Sequence, residues 1–507
     1  MFGAIISSGE VASEVLISGG SISGTTEDGV QAFKGIPFAA PPVGDLRWRP
    51  PQPLAAWDGV KAATEFAPGC PQSVAPASSF YAFTNPDSLD EDCLYLNVWT
   101  AAESSAERRP VMVWIHGGGL TRASGADARF HGANLARKGV VLVTVNYRLG
   151  PLGYLAHPEL SREEPKGVSG NYGVLDQIAA LRWVQQNIAQ FGGDAGNVTI
   201  FGQSAGSWSV QTLMATPLTR GLLHRAIGHS GGLFEALRHL DRSDGDNRSG
   251  HEIGQDFFAA CGVKTIAEAR ALPADTIVKV HAGKGRGFYS RPVVDGWVLP
   301  GTIEEIFTSG RQHDVPVIVG STANEMSSLT SPSSLPNTTA ALQERISRQY
   351  PHGTWTDFVA AYGGDKDDTA LAAFLAMLRD TAFSSQMRQW ARATETVSSV
   401  AYMYHFTLAP PIANSDYLGA YHSADVPYAF QNISPTFGDV HRALSDAMSD
   451  YWVNFARTGD PNGAGLAKWQ PYNLDTEPYM DLGPTLRAGN HLLKRQLDYL
   501  EMVEGAQ

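Results

Sequence analysis

A serine with glycines two positions to either side, Gly202-Gln203-Ser204-Ala205-Gly206, is where this 507-residue chain first offers residue types and spacing suited to covalent chemistry. A serine hydroxyl becomes a nucleophile when a base removes its proton, and that base is usually a histidine oriented by a buried carboxylate. The apolar or β-branched residues Val198–Phe201 just before it read as a short buried strand. Ser207–Met214 just after it read as a helix. The chemistry needs a serine lifted out of the sheet on a turn too tight for ordinary backbone, with φ above zero. The glycines leave room for strand and helix to approach. In a chain with 52 glycines the pentapeptide alone is a weak signal, and its weight comes from the strand–turn–helix setting.

Acyl transfer at a serine also needs backbone N–H donors aimed at the developing oxyanion. His116-Gly117-Gly118-Gly119 directly follows the apolar run Val111–Ile115. Three glycines let a backbone turn its N–H groups toward one point with no Cβ in the way. Gly118, Gly119 and Ala205, the residue after the nucleophile, are therefore the expected oxyanion donors. The plainer reading of the run is a flexible turn after a strand. The base is harder to single out among 14 histidines. His422 lies in a loop-like stretch, Gly419–Tyr428, after a strand, where catalytic groups tend to sit. Glu325 follows the run Val315–Val319 through a short Ser/Thr/Asn loop, beyond the carboxyl end of a strand, where open α/β sheets build sites. On the residues alone, a solvated loop acid is the simpler account of Glu325.

The elements that must position these groups alternate. Val111–Ile115 and Val140–Val145 read as buried strands, and Leu94–Trp99 alternates like one. Val174, Ile178, Leu181 and Ile188 recur at helical spacing, and Gly192-Gly193 stops that helix. Val15–Ser18 and Gln31–Lys34 read as early strands, followed by a proline-stiffened extended segment to Pro42. Later strands are expected over Val315–Val319 and Tyr402–Phe406, a largely helical stretch over 327–400, a surface loop over Asp241–Gly250, and a helix over Asp446–Arg457. This alternation predicts an α/β chain with a largely parallel central sheet. No linker or repeat divides it, so residues 1–507 read as one domain.

Composition narrows the function. The net charge is −13, which argues against nucleic acid as a partner. No run reaches the ~18 apolar residues of a membrane span. The N-terminal Met1–Ser7 lacks a basic segment followed by an apolar core. The chain thus reads as cytoplasmic, or as a mature or trimmed form of a secreted protein. Three cysteines are too few for a disulfide scaffold; Cys70 and Cys93 could close one loop, leaving Cys261 free. No His/Cys cluster has metal-ligand spacing, and the chemistry calls for no metal or organic cofactor.

Several stretches, in order, resemble the type-B carboxylesterase family. Gly35–Ala39 with Pro41–Trp48 resembles its N-terminal signature, and Glu91–Val98 its second signature. His116–Gly119, Asn146–Gly150, Gly192–Gly206, Gly419–Phe430 and Asn454–Asn462 follow in the family's order. The resemblance covers most of the chain. It implies the α/β-hydrolase fold: a large, mostly parallel central sheet flanked by helices, with helical insertions around an active-site gorge. It implies a serine carboxylesterase acting through an acyl-enzyme on a small-molecule ester, with a triad of Ser204, Glu325 and His422 in the α/β-hydrolase order. It further implies a Cys70–Cys93 disulfide, which would suit a secreted or periplasmic protein, and structural ion pairs Arg47–Glu91 and Arg148–Asp176. The alternatives are a lipase or amidase on the same triad, and a non-catalytic adhesion-type relative, against which the intact serine, glycine run and histidine stand.

Three positions depart from the family pattern. Gln203 stands where Glu usually precedes the serine, which removes an acid beside the site. Met326 stands where Gly usually follows the catalytic acid. Leu120 stands where an aromatic residue usually follows the glycine run, and is expected to reshape the pocket there. The loop between the cysteines holds Phe80, Tyr81 and Phe83 but no Trp, which argues against a choline ester. Trp208 reads as a packing residue on the helix after the serine.

Overall fold

The chain's β-branched runs assemble into one large sheet in the computed structural model, which describes residues 10–11, 14–75, 86–245, 247–283, 288 and 290–505. Twelve strands pair in the spatial order Glu10–Val11, Thr25–Glu27, Val30–Pro37, Tyr95–Thr100, Val141–Val145, Arg109–Ile115, Gly193–Gln203, Arg225–His229, Val317–Thr322, Ala401–Phe406, Pro478–Leu482 and Arg487–Asn490. Every pairing from Val141–Val145 through Pro478–Leu482 is parallel, and those toward either edge are antiparallel. A separate small sheet joins Val15–Ile17, Gly20–Ser23 and Val60–Ala62.

Period-two alternation sends neighbouring residues to opposite faces, and here both faces are covered. Val111, Val113, Val198, Ile200, Val317 and Val319 pack on one side with helices Tyr172–Asn187, Ala205–Ala215 and Ser385–Ala393. Met112, Trp114, Phe201, Ile227, Ile318 and Tyr404 pack on the other with helices Ala133–Arg137 and Asp439–Thr458. Helix Tyr172–Asn187 ends through a short 3₁₀ turn at Gly192, whose φ of 75° is the left-handed cap expected there.

Some elements differ from expectation. Helix Asp439–Thr458 begins seven residues before the predicted Asp446. Its first turn is exposed, so the sequence carries no apolar stripe there. Strand Arg225–His229 was not anticipated: Arg-Ala-Ile-Gly-His is too poor in apolar residues to read as a strand, yet it is laddered on both sides. The proline-stiffened segment is strand as far as Pro37. Cys70 and Cys93 are disulfide-bonded and Cys261 is free. Phe80, Tyr81 and Phe83 lie outside the described residues.

The two anticipated ion pairs form. Arg47 meets Glu91 with Nε–Oε1 at 2.8 Å, and its Nη1 reaches the Leu272 carbonyl at 2.6 Å. Arg148 grips Asp176 through Nε at 2.8 Å and Nη2 at 2.7 Å, with Asp176 wholly buried. Each ties distant segments together near the carboxyl edge of the sheet.

Candidate active site

The parallel strands end on one edge, and every group singled out above follows a strand end there. Ser204 follows strand Gly193–Gln203 and begins helix Ala205–Ala215. Its φ of 57° and ψ of −124° are the strained geometry the elbow requires. The flanking glycines are there for space. A Cβ on Gly202 would lie 2.6 Å from the Gly206 carbonyl, and one on Gly206 would overlap the Ile115 carbonyl oxygen. The Ser204 N–H donates to the His229 carbonyl at 2.8 Å, anchoring the turn to the next strand.

The glycine run leaves strand Arg109–Ile115 and curls over the serine. A Cβ on Gly117 would come 3.1 Å from the Ser204 Cβ. Gly118 and Gly119 take φ of 96° and 67°, open to glycine and costly for other residues. His116 roots the run: its ring stacks on Tyr147 at 4.5 Å between centroids, and its Nδ1 lies 2.9 Å from the Gly117 carbonyl. Burial pushes the His116 imidazole down to about 4, so it is neutral and donates from Nδ1.

Glu325 and His422 come together. Glu325 follows strand Val317–Thr322 and is wholly buried, its Oε1 accepting from the Thr322 N–H at 2.7 Å. Its Oε2 lies 2.5 Å from His422 Nδ1. The two loops are zipped together by Asn324. Its N–H donates to the Ala420 carbonyl at 2.9 Å, and its Oδ1 accepts from the Ala420 N–H at 3.0 Å. Ser327 Oγ adds a bond to the Leu418 carbonyl at 2.6 Å. Met326 after the acid lines a different cavity, with Asp368, Arg379 and Asp416, and leaves the Glu325–His422 contact intact.

Ser204, His422, Gln203 and Gly117–Gly119 line one cavity of about 230 Å³, with Phe130, Leu329, Phe383 and Val426 as apolar wall. Phe383 lies in a π-helical turn, Asp380–Ser384, and its ring centroid is 4.8 Å from that of His422. Gln203 Nε2 is 3.0 Å from His422 Nε2. The arrangement holds a hydroxyl, an imidazole–carboxylate pair and a glycine loop around one space, which is what acyl transfer requires.

Two expectations about the pocket need correcting. Trp208 is not only a packing residue: four positions after Ser204, on the helix that the serine begins, it lines the cavity beside the serine. Leu120 does not shape the pocket. Its φ of 60° turns the side chain into the main core, where it is buried.

A buried polar cluster behind the site escaped the sequence reading. Asp425, three residues after His422, accepts from His229 Nδ1 at 2.9 Å and from the Tyr404 hydroxyl at 2.7 Å. Trp452 Nε1 donates to His229 Nε2 at 3.0 Å. Burial raises Asp425, but its bonds to His229 and Tyr404 outweigh that and hold its carboxyl below the usual range. The only hint was an acid close to the histidine; its partners His229 and Tyr404 lie on two separate strands.

A mostly parallel sheet between helix layers, with a nucleophile elbow, a histidine and an acid at its carboxyl edge, defines an α/β-hydrolase fold. The carboxylesterase family profile matches residues 11–500, and the chain belongs to that family. Fumonisin B1 esterase from Sphingopyxis macrogoltabida is 36% identical, over 93% of this chain and 87% of its own. Para-nitrobenzyl esterase from Bacillus subtilis is 32% identical, over 93% and 95%. Among solved structures, Geobacillus stearothermophilus carboxylesterase EST55 superposes with a TM-score of 0.82 at 32% identity, covering 96% of this chain and 99% of that one. The protein is a carboxylic ester hydrolase. No helix among the described residues is long and apolar enough to cross a membrane.

Proposed function

We propose that this protein hydrolyses small carboxylic esters through an acyl-enzyme at Ser204. Ser204 Oγ attacks the ester carbonyl while His422 Nε2 takes its proton, then passes it to the leaving alcohol. Glu325 holds the proton on His422 Nδ1 and stabilises the imidazolium. The N–H groups of Gly118, Gly119 and Ala205 receive the oxyanion. Water then enters by the same route and releases the acid. The observation that carries the reading is the 2.5 Å contact of Glu325 with His422 Nδ1, in a cavity that also holds a serine at φ 57°.

The sheet draws strands from Glu10 to Asn490, which supports a chain acting as one catalytic domain. The Cys70–Cys93 bond supports an oxidising, extracytoplasmic compartment. The test is labelling with a fluorophosphonate, followed by peptide mapping. Adduct on Ser204, lost together with ester turnover in Ser204→Ala, is the expected result; adduct elsewhere with turnover intact would overturn the assignment. Assaying an ester and an amide of the same acyl group separates esterase from amidase.

A further inference from the structure

The cavity at Ser204 has a larger neighbour. A second chamber of about 520 Å³ shares Gly119, Arg122 and Trp208 with it, and those three residues frame the neck between the two. The rims of that neck are unequal. Gly119 brings no side chain, and even a Cβ there would meet only the Thr121 hydroxyl oxygen at 3.7 Å. Arg122 is exposed. Trp208 is the one large side chain of the three that packs against the main core, so its indole sets the width of the neck. Ser204 and His422 line the first cavity and not the second. At about 230 Å³ the first is smaller than the ~300–1,000 Å³ that a drug-sized ligand fills, whereas the second lies within that range.

The indole is not free to swing aside. Its backbone N–H donates to the Ser204 carbonyl at 3.1 Å, in the first turn of the helix. Arg291 lies over the ring, its guanidinium carbon 3.7 Å from the centroid, and its Nε donates to Glu235 at 2.7 Å. The ion pair aims the guanidinium, and the guanidinium holds the indole face by cation–π attraction and stacking. Both segments that carry the pair are themselves tied down. Leu233 and Phe234, just before Glu235, donate their N–H groups to the side chains of Gln211 and Gln386 at 2.7 and 2.8 Å. Val293, two residues after Arg291, exchanges two bonds with the Asn171 amide at 3.0 and 2.9 Å. Trp208 is thus a fixed jamb of the neck.

The chemistry decides which arm of the ester meets that jamb. The departing alcohol's oxygen must lie at His422 Nε2 to be protonated. His422 and Phe383 beside it line the serine cavity and not the second chamber, so the alkoxy arm starts on their side. The acyl arm leaves the reacting carbon in the other direction, toward the neck. We infer that Trp208, clamped by Arg291 and Glu235, selects the acyl group: unbranched chains thread past it into the second chamber, and chains bulky at that depth are turned back. This rests on the reading of Ser204 as nucleophile and His422 as base. Residues four apart on a helix stand about 5–6 Å apart at their Cβ atoms, which puts the neck at roughly the fifth carbon of the acyl chain.

The test compares two isomers, 4-nitrophenyl octanoate and 4-nitrophenyl 5,5-dimethylhexanoate, the second of which carries a tert-butyl group at that depth. The expected result is a straight-over-branched ratio in kcat/KM of about fivefold or more in the wild type, the scale on which a closed pocket rejects extra methyl groups. Trp208→Ala should bring the ratio close to one by admitting the branched chain, and Trp208→Phe should lower it less. Glu235→Gln, at the exposed end of the clamp, should lower it by about twofold, and it reads the clamp even where Trp208→Ala fails to fold. A smaller wild-type ratio, or one that neither Trp208→Ala nor Glu235→Gln lowers, overturns the proposal. The acetates of 1-octanol and 5,5-dimethylhexan-1-ol carry the same two shapes on the alkoxy arm, and a ratio that depends on Trp208 in that series instead also overturns it. Fluorophosphonate labelling of the same samples keeps the two levels apart. Adduct on Ser204 with an unmoved ratio defeats the role of Trp208 alone, whereas adduct elsewhere defeats the reading of the nucleophile beneath it.

Discussion

Gln203 places its side-chain nitrogen 3.0 Å from His422 Nε2 and 3.4 Å from its Nδ1, so the amide sits beside both ring nitrogens. His422 Nδ1 faces the Glu325 carboxylate at 2.5 Å and so carries the proton, which leaves Nε2 as an acceptor. The imidazole is thereby held in the tautomer a general base needs. Gln203→Ala removes the amide contact that seats the ring and should lower kcat by about fivefold, the scale of one lost hydrogen bond, with the fold intact by circular dichroism. An unchanged kcat would show that the amide does not seat the base.

Ser204→Ala should lower kcat by ~10⁴–10⁶ with the fold intact, as in other triads. Glu325→Gln should cost up to ~10⁴, because the amide imposes the wrong tautomer on His422. Circular dichroism would check the fold and burst kinetics the chemistry. Near-normal turnover in Glu325→Gln would move the acid's role elsewhere.

Gly118→Ala should lower kcat by ~10²–10³, the scale of losing one oxyanion donor. The added methyl would overlap the Arg122 carbonyl oxygen, at a φ of 96° that alanine resists. Gly119→Ala meets only the Thr121 hydroxyl oxygen, 3.7 Å away, and isolates the cost of backbone strain alone. Equal activity in both variants and wild type would sink the oxyanion assignment.

How much of this was legible in the sequence depended on whether local pattern or distant contact made each part. The strands ending at Ile115 and Gln203 announce themselves because β-branched residues buried on both faces leave a continuous apolar run. The serine and the glycine run were legible because tight turns demand glycine at fixed offsets. His422 and Glu325 were not singled out by their own neighbourhoods: what brings them together is Asn324 bonding across to Ala420, about a hundred residues away in the chain. Strand Arg225–His229 was invisible because its stability comes from the ladders on either side. Asp425, Trp208 and Leu120 each depend on where a side chain points once the elements have packed.

Thiol titration of the denatured, unreduced protein should find one group, Cys261, and three after reduction. Reduction should cost ~2–4 kcal/mol of stability by freeing a loop of 23-residue separation. Three titratable groups before reduction would refute the bridge and the compartment it implies.

Acid stability should depend on Glu477. Burial alone would raise its carboxyl, but bonds from Arg388 at 2.9 Å and Arg392 at 2.7 Å prevail and hold it to about 2, against 4.5 when free. A depressed carboxyl stabilises the fold fully above pH 4.5, and that contribution is lost as pH falls toward about 2. Denaturant unfolding should find Glu477→Gln weaker than wild type at pH 7, with the gap narrowing steadily below pH 4.5. A gap independent of pH would mean the pair contributes by shape alone.

Asn324 fastens the segment bearing the acid to the segment bearing the imidazole, while the nucleophile is mounted on a separate strand–helix joint. What joins the two halves is thinner: the Gln203 contact with His422, and Asp425 bonding His229, whose carbonyl holds the Ser204 N–H. Mild heat or denaturant that slips the Asn324 clasp would disengage acid and base in a single event, stranding an intact but idle serine.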